Sequence, residues 1–219
     1  MRKKLFISRN LHAQSPFWEL KDRLDIYDTS LLLFKSIPFP QIPSSTWLFF
    51  YSQQGVVHFF KQASRKQRMD KKLAAFGPKT ALVLAEHAPS THFVGDGKAE
   101  STAAALELVT NGQTILFVRA KRSRRSVQKL LLKKAHPDLV VYDNQAKPAF
   151  NVPTCDFLIF TSPLNAKTYF DKYKKAEGQV IFAIGDTTAT TLEQLTTGKI
   201  WVPPDPSEEA LLKLLQKHL

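Results

Sequence analysis

Short apolar segments recur along the chain, and most are uninterrupted rather than alternating with polar residues. Such runs are typical of strands that are buried on both faces of a parallel sheet. The strands predicted in this way are residues 4–8, 26–32, 47–51, 73–76, 114–118, 139–142, 157–160, 180–184 and 200–202. Between them, apolar residues are spaced as on one face of a helix, for example in residues 103–110, 127–131 and 210–215. This alternation predicts an α/β fold with parallel sheets.

The sequence contains an internal repeat. Three pairs of segments resemble each other in the same order and at nearly the same spacing: 50–60 (FYSQQGVVHFF) and 160–170 (FTSPLNAKTYF), 72–84 (KLAAFGPKTALVL) and 181–192 (IFAIGDTTATTL), and 93–97 and 201–205. Two more pairs match in a different place: 114–119 resembles 4–9, and 140–143 resembles 26–28. The order of elements is therefore circularly permuted between the two copies, which predicts that one copy is inserted into the other.

The permutation gives a domain hypothesis. We predict two parallel-sheet α/β lobes of similar topology, joined by a two-stranded linker, with one lobe discontinuous. The predicted bounds are 1–36 and 149–219 for the split lobe, 38–147 for the inserted lobe, and 36–40 and 145–150 for the linkers. Both predicted linkers contain prolines, which suit extended connections between the lobes. Two adjacent linkers would form a hinge beside a cleft.

Composition places the chain among ordinary globular proteins, with 219 residues, 43% hydrophobic and 23% charged. The single cysteine, Cys155, excludes an intramolecular disulfide and is expected to be a buried, inert thiol, which suits a reducing cytoplasm. Only three apolar residues lie between the basic start and Ser8, too few for a signal peptide, and the run 47–51 is too short to cross a bilayer. We expect a soluble, cytoplasmic protein.

The chain contains 31 Lys and Arg residues but only 19 Asp and Glu residues, which gives a net charge of +12. This excess of positive charge indicates an anionic partner. Nucleic acid, an anionic small molecule and plain solubility all account for this charge. The densest basic run, 119–125 (RAKRSRR), contains no aromatic residue on which bases could stack, which disfavours a nucleic-acid binder. Part of that run is expected to be a solvated helix start.

The repeated turns are the strongest candidates for ligand binding. They follow strands and precede helices, so their backbone N–H groups are available to a carboxylate or phosphate at the carboxyl edge of the sheet. Each hydroxyl taken alone is better explained as a plain helix cap, but four such turns in symmetric positions weaken that explanation and favour a site. The residues are Ser52, Gly77, Thr80, Ser162, Gly185 and Thr187.

Several other kinds of site find no support. Glycine motifs for nucleotides are absent, the histidines are dispersed, and no G-x-S-x-G motif is present. We therefore predict no cofactor and no metal. Tyr142 is placed at the end of the predicted strand 139–142, where its phenol could act as a general acid or hydrogen-bond donor in the cleft. On position alone, a tyrosine that packs at an interface is the favoured interpretation.

Segments 160–166 (FTSPLNA) and 183–189 (AIGDTTA) resemble the T-S-P and I-G-x-T-T motifs of the uroporphyrinogen-III synthase family. Residues 77–81, 115–119 and 141–142 support the resemblance in the right order, so that it covers nearly the whole chain. The family's two α/β lobes, one of them split, agree with the permuted repeat.

The resemblance implies a lyase of haem biosynthesis that needs no cofactor. Such an enzyme closes hydroxymethylbilane to uroporphyrinogen III, with loss of the terminal hydroxyl as water and inversion of the terminal pyrrole ring through a spiro intermediate. The polycarboxylate substrate suits the basic charge. The implied protein is a monomer without nucleic-acid or membrane partners, and its protein partner would be at most the preceding pathway enzyme in a transient contact.

Site residues carried over by position begin with Tyr142, which matches the tyrosine proposed to assist hydroxyl departure. Other residues are expected to contact the substrate, either because they match family positions or because they lie in the repeated turns. They are Arg9, Ser52, Gly77, Thr80, Arg119, Thr161, Ser162, Gly185, Thr187 and Thr188. Arg124 is a weaker match to the family. Ser8, Gln54 and Asp186 depart from the family pattern.

Two rival functions stay open from sequence. A non-catalytic two-lobed protein that binds an anionic small molecule would share the cleft and the hinge but would not need Tyr142. A nucleic-acid binder is the third hypothesis.

Overall fold

The computed structural model describes residues 2–131 and 135–219. Its strands are β1 (Lys3–Ile7), β2 (Leu24–Asp28), β3 (Leu32–Ser36), β4 (Trp47–Phe50), β5 (Lys72–Ala75), β6 (Phe93–Val94), β7 (Ile115–Ala120), β8 (Asp138–Ala146), β9 (Phe157–Phe160), β10 (Val180–Ala183) and β11 (Ile200–Trp201). Its α-helices are α1 (Gln53–Phe60), α2 (Arg65–Arg68), α3 (Pro78–Ala85), α4 (Ala99–Thr110), α5 (Pro163–Phe170), α6 (Asp186–Leu195) and α7 (Glu208–Gln216). Two 3₁₀ helices cover Pro16–Leu20 and Gln128–Leu130.

The chain divides into two compact units. Unit 1 consists of the residues up to Leu33 together with Gln145–Leu219, and unit 2 is Phe34–Asn144. Strands β3 and β8 each cross a boundary between the units, and they are neighbours in one sheet. The two segments in which the chain passes from one unit to the other are therefore hydrogen-bonded to each other as a pair of strands.

The two sheets have the same strand order once the permutation is allowed for. Unit 1 has the order β11-β10-β9-β1-β2, and unit 2 has β6-β5-β4-β7-β8 with β3 added at the β8 edge. The pairs within each of these five-strand sets are parallel. The predicted fold class, two parallel-sheet α/β lobes of similar topology with one discontinuous, is confirmed.

One of the predicted pairs of repeated segments is wrong in register. In unit 1, Ile7 lies opposite Asp28, and in unit 2 the corresponding Phe117 lies opposite Asp138. Asp28 therefore corresponds to Asp138, whereas the sequence match had aligned residues 26–28 with 140–143. A short Tyr-Asp pattern does not specify which residues hydrogen-bond across a ladder, and that pairing sets the register.

Strand ends also differ from the prediction. The predicted strand 26–32 is divided between β2 and β3, and β8 continues to Ala146 instead of stopping at Tyr142. The extension is supported by β3, since the Ile37 backbone N–H donates to the Val141 carbonyl (2.9 Å). Tyr142 consequently lies within a strand, level with Ala120 at the carboxyl end of β7.

Both faces of each sheet are covered, which accounts for the uninterrupted apolar runs. In β4, Trp47 and Phe49 pack on one face, and Leu48 and Phe50 pack on the other, since side chains alternate along a strand. Burying one such side chain contributes about 1.5–3 kcal/mol. Cys155 is buried in the core of unit 1, and burial raises the pKa of its thiol to about 11, which keeps it protonated and unreactive.

Two of the three predicted helices form as expected, in α4 and α7. The third, over 127–131, is reduced to the 3₁₀ turn Gln128–Leu130. Arg125 just before it has a positive φ of 55°, a left-handed conformation that interrupts a right-handed helix. Over the residues that the structure describes, no helix has the length and apolar character needed to traverse a bilayer.

Candidate functional site

A serine residue forms the N-terminal cap of three of the helices that follow parallel strands. The hydroxyl oxygens of Ser52, Ser162 and Ser207 accept backbone N–H groups in the first turns of α1, α5 and α7, at 3.1–3.2 Å. By contrast, α3 and α6 begin with Gly77 and Gly185, which offer no side-chain cap. The first N–H groups of α3 and α6 therefore have no side-chain acceptor from their cap residue, the situation in which helix starts bind anions.

The two glycines at these helix starts differ in how much space surrounds them. Both have an extended backbone, so neither is required by its φ value. A Cβ at Gly77 would lie 3.2 Å from the Cα and 3.3 Å from the N of Gly97, whereas a Cβ at Gly185 would meet only Pro206, at 3.7 Å. Gly77 thus allows close packing within the protein, while the Gly185 turn has room for a side chain.

Threonines in these turns are unequally accessible. Thr80 and Thr188 are buried, and their backbone N–H groups return to the carbonyls of Gly77 and Gly185 (3.0 Å each). Thr187 is exposed at the start of α6, beside the exposed Asp186. A carboxylate in the first turn stabilises a helix through its dipole, and Asp186 occupies that position.

In unit 1, the ends of β1 and β9 are tied together by hydroxyls. The Thr161 N–H donates to Ser8 Oγ (2.8 Å), and Thr161 Oγ1 donates to the Ser8 carbonyl (3.2 Å). Ser8, a departure from the family pattern, thus anchors the Thr161 turn. Next to it, Arg9 Nη1 contacts Glu208 Oε1 (2.8 Å), and Glu208 Oε2 accepts from Ser15 (2.6 Å). The Arg9 side chain stays 37% exposed, so it is not sealed off by its ion pair with Glu208.

Ser162 has both of its acceptor sites occupied within unit 1. Its Oγ accepts the backbone N–H of Asn165 (3.2 Å) and the Asn165 side-chain Nδ2 (3.0 Å). Since a hydroxyl oxygen has two lone pairs, its remaining capacity is to donate its own proton. A serine held in this way is suited to an anionic acceptor.

In unit 2, Tyr142 and Ser52 come together. The Tyr142 hydroxyl lies 3.0 Å from Ser52 Oγ, which also accepts the Gly55 N–H. The phenol of Tyr142 therefore reaches past the carboxyl end of β7 to the start of α1. Only 6% of Tyr142 is exposed, and burial raises the pKa of its phenol, with the Ser52 hydrogen bond acting in the opposite direction.

The ring of Tyr142 is held between two neighbours. The His58 imidazole stacks on it, with ring centroids 5.2 Å apart and planes at 13°, and Phe34 approaches edge-on at 6.0 Å. His58 is itself held by Ser36 Oγ at 2.7 Å from Nδ1. Burial lowers the pKa of His58, and the charge of Lys61 adds to this, so the imidazole facing the phenol is neutral at pH 7.

Arg119 lies apart from these turns. It is 5% exposed, and its Nη2 donates to Asp138 Oδ2 (2.7 Å) while Nη1 donates to the carbonyls of Ala120 and Lys121. Arg125 Nε also lies 3.3 Å from Asp138 Oδ2. Both terminal nitrogens of Arg119 are thus engaged in joining β7 to β8. Arg124 is exposed on the loop after β7.

A protein-family model described as uroporphyrinogen-III synthase HemD matches residues 35–213. The chain belongs to the uroporphyrinogen-III synthase family. Among solved structures, it is similar to the uroporphyrinogen-III synthetase of Helicobacter pylori, with 23% identity, full coverage of both chains and a TM-score of 0.74. It is also similar to a mutant uroporphyrinogen III synthase of Thermus thermophilus, with 15% identity, 98% and 99% coverage and a TM-score of 0.59. These structures support the fold. No curated protein matches the chain.

Sequence reasoning about the synthase family missed the residues that surround Tyr142 and Ser162. Gly55, His58 and Ser36 belong to the Tyr142 cluster, and Asn165 belongs to Ser162. For one pair a signal was present, since the matched segments 50–60 and 160–170 align Gly55 with Asn165. The position of Ser36 gave no signal because its contact depends on the pairing of β3 with β8.

Proposed function

We propose that this member of the uroporphyrinogen-III synthase family closes hydroxymethylbilane to uroporphyrinogen III as a cofactor-independent cyclising lyase of haem biosynthesis. The observation that carries the proposal is the family match over residues 35–213. The net charge of +12 supports it, because a polycarboxylate is attracted to a basic protein.

The substrate carboxylates are proposed to bind at helix starts. The turns at Gly77 and Gly185 offer backbone N–H groups that no cap side chain accepts, while the buried Thr80 and Thr188 support these turns through their backbone bonds to the two glycine carbonyls. Thr187 adds an exposed hydroxyl. This use of backbone donors fits an enzyme whose main task is to hold a flexible chain in a reactive shape.

In unit 1 the proposed contacts are Ser162, Thr161 and Arg9. The Ser162 hydroxyl proton is free of the two bonds that its oxygen accepts, and the partly exposed Arg9 side chain can pair with a carboxylate. Arg119 was predicted as a substrate contact, but its terminal nitrogens are engaged by Asp138 and two carbonyls. We assign Arg119 a supporting role at the end of β7.

Tyr142 is proposed as the general acid. Its phenol donates a proton to the terminal hydroxyl of the bilane, the carbon–oxygen bond breaks, and water leaves to give a protonated, cationic azafulvene beside the phenolate. Attack through the terminal ring then gives the spiro intermediate, and its rearrangement inverts that ring before closure. The proton released as the final pyrrole regains aromaticity restores the phenol, so that the net loss is one water. A phenol with a raised pKa stays protonated at pH 7, as this role requires.

We propose a cytoplasmic monomer. The single, buried Cys155 suits a reducing compartment and leaves the protein independent of disulfides. A transient contact with the enzyme that delivers hydroxymethylbilane would be compatible with a monomer.

Catalysis is distinguished from binding by turnover. Freshly prepared hydroxymethylbilane is mixed with a substoichiometric amount of protein, and its consumption is followed against the spontaneous reaction. We expect many turnovers per protein molecule. A non-catalytic binding protein would instead protect one equivalent of the bilane and leave the remainder to close spontaneously.

A further inference from the structure

Helices α1 and α5 occupy the same place in the two copies of the repeat. Each follows a buried strand, and each begins at a serine, Ser52 or Ser162. The third helical residue donates its backbone N–H to that serine in both copies, from Gly55 at 3.1 Å and from Asn165 at 3.2 Å. The copies differ in what occupies the second acceptor site of the serine oxygen.

In unit 1 that site is filled by a side-chain amide. Asn165 Nδ2 donates to Ser162 Oγ (3.0 Å), and Asn165 Oδ1 accepts the Leu31 backbone N–H (2.8 Å). Asn165 is 4% exposed, so the amide is a fixed bridge between the serine and the chain just before β3. No phenol could reach Ser162 Oγ without displacing it.

In unit 2 the third helical residue is Gly55, which has no side chain, and Ser52 Oγ contacts the Tyr142 hydroxyl instead (3.0 Å). A Cβ on Gly55 would lie 3.4 Å from Ser52 Oγ and 3.6 Å from the Val118 carbonyl oxygen, both ordinary contacts, and a longer polar side chain could bond to Ser52 as Asn165 does to Ser162. His58 and Phe34 fix the ring, so that its hydroxyl points at the serine. The third helical residue itself fills the second acceptor position of the serine in unit 1, whereas in unit 2 Gly55 leaves that position to the phenol.

We infer that Ser52 and Gly55 are positioning residues for the Tyr142 phenol, with Ser52 holding the hydroxyl and Gly55 keeping the space beside the serine open. The inference deepens the proposed function and rests on the acid role of Tyr142. It also reassigns Ser52, which the sequence had predicted as a substrate contact.

The hydrogen bond suits a proton donor. When Ser52 donates its hydroxyl to the phenol oxygen, the proton of Tyr142 is free to pass to the departing hydroxyl. The phenolate left behind then accepts a charge-assisted hydrogen bond from Ser52, which is stronger than the bond to the neutral phenol. Serine thus stabilises the product of proton transfer more than its reactant, as catalysis requires.

The first test transplants the arrangement of unit 1 into unit 2. Gly55→Asn supplies an amide that competes with the phenol for Ser52, whereas the control Gly55→Ala adds only a Cβ at an uncrowded distance. Both replace a helical glycine, so neither is expected to lower helix stability. We expect Gly55→Asn to lower kcat by about tenfold or more with little change in KM, and Gly55→Ala to stay within about twofold of the wild type.

The second test needs no turnover. The titration of Tyr142 is isolated as the ultraviolet difference between a protein and the same protein carrying Tyr142→Phe. Ser52→Ala removes a bond that lowers the pKa of Tyr142, so the phenol should titrate at a higher pH than in the wild type, and Ser52→Thr should restore the wild-type titration.

The outcomes separate this inference from the proposed function. A fully active Tyr142→Phe variant would remove the acid role, while the titration would still report whether Ser52 holds the phenol. The positioning inference is overturned if Ser52→Ala leaves the titration of Tyr142 unchanged. It is also overturned if Gly55→Asn keeps the wild-type kcat, or raises only KM, which would return Ser52 to substrate binding.

Discussion

Tyr142 shows how a residue type gains a role from its neighbours. Its hydroxyl contacts Ser52, His58 covers one ring face, and Phe34 approaches the edge. Together these contacts fix the ring orientation, and burial keeps the phenol protonated. A tyrosine that served only as packing would not need its hydroxyl.

Replacing Tyr142 with phenylalanine tests that distinction. Tyr142→Phe keeps the ring and removes one hydroxyl, so the free energy of unfolding should fall by no more than about 1.5 kcal/mol. Loss of a general acid should lower kcat by about a hundredfold or more. Turnover is measured by the initial rate of hydroxymethylbilane consumption, and stability by urea denaturation.

Tyr51 provides the matched control. Its hydroxyl accepts the Gln128 N–H (2.9 Å), and partial burial raises the pKa of the phenol to about 12. Tyr51→Phe leaves that N–H unpaired and should cost about 1–3 kcal/mol of stability, with kcat unchanged. Equal losses of kcat in the two variants would mean that the phenol of Tyr142 acts through folding rather than chemistry.

At the scale of single residues, the sequence predicted helix caps better than it predicted which side chains form ion pairs with each other. Ser52 and Ser162 could be identified as helix starts because a cap follows from a local strand-serine-helix pattern. The ion pair of Arg119 with Asp138 could not, since it depends on the register of β7 and β8, which is not a local property.

At the scale of elements, the repeated glycine turns at the starts of α3 and α6 are alike in sequence and unlike in surroundings. Gly77 packs against the backbone of Gly97, while Gly185 faces open space apart from Pro206. The sequence predicted both turns correctly as strand-to-helix connections. It could not distinguish them, because the difference comes from the loop that follows β6.

Serine substitution should separate the two glycines. Serine is at least as good a helix cap as glycine, so Gly185→Ser should change the free energy of unfolding by less than about 0.5 kcal/mol. Gly77→Ser forces a Cβ against backbone atoms and should cost about 1–3 kcal/mol. Urea denaturation of both variants measures the difference, and equal stability would show that the Gly97 loop moves aside without cost.

Strands and helices were largely predictable because buried parallel strands are continuous apolar runs. Exceptions occur where pairing overrides the local pattern. β8 runs past Tyr142 to Ala146 because β3 lies beside it, and the helix expected over 127–131 is reduced by the left-handed Arg125.

On the scale of the whole molecule, the permuted repeat was the strongest predictor of the fold. Matching segments 50–60 and 160–170 in one order, and 114–119 and 4–9 in another, required one lobe to be split, and the two sheets have the same strand order. The sequence predicted a two-stranded linker but not the hydrogen-bonded pairing of β3 with β8, since that pairing is a contact between distant segments.

The net charge of +12 predicts a salt dependence if it serves substrate capture. Steering of a polycarboxylate is screened as the Debye length shortens from about 30 Å at 0.01 M salt to about 8 Å at 0.15 M. We expect kcat/KM to fall severalfold over that range while kcat stays nearly constant. A salt-independent kcat/KM would assign the charge to solubility instead.

The isomer of the macrocycle tests the central claim most directly. Hydroxymethylbilane that closes without an enzyme gives the type I isomer, and only closure with inversion of the terminal ring gives type III. With substoichiometric wild-type protein, oxidised products separated by chromatography should be mainly type III and in large excess over the protein. Type I alone, at the rate of the protein-free control, would contradict the assignment of this chain as a working uroporphyrinogen-III synthase.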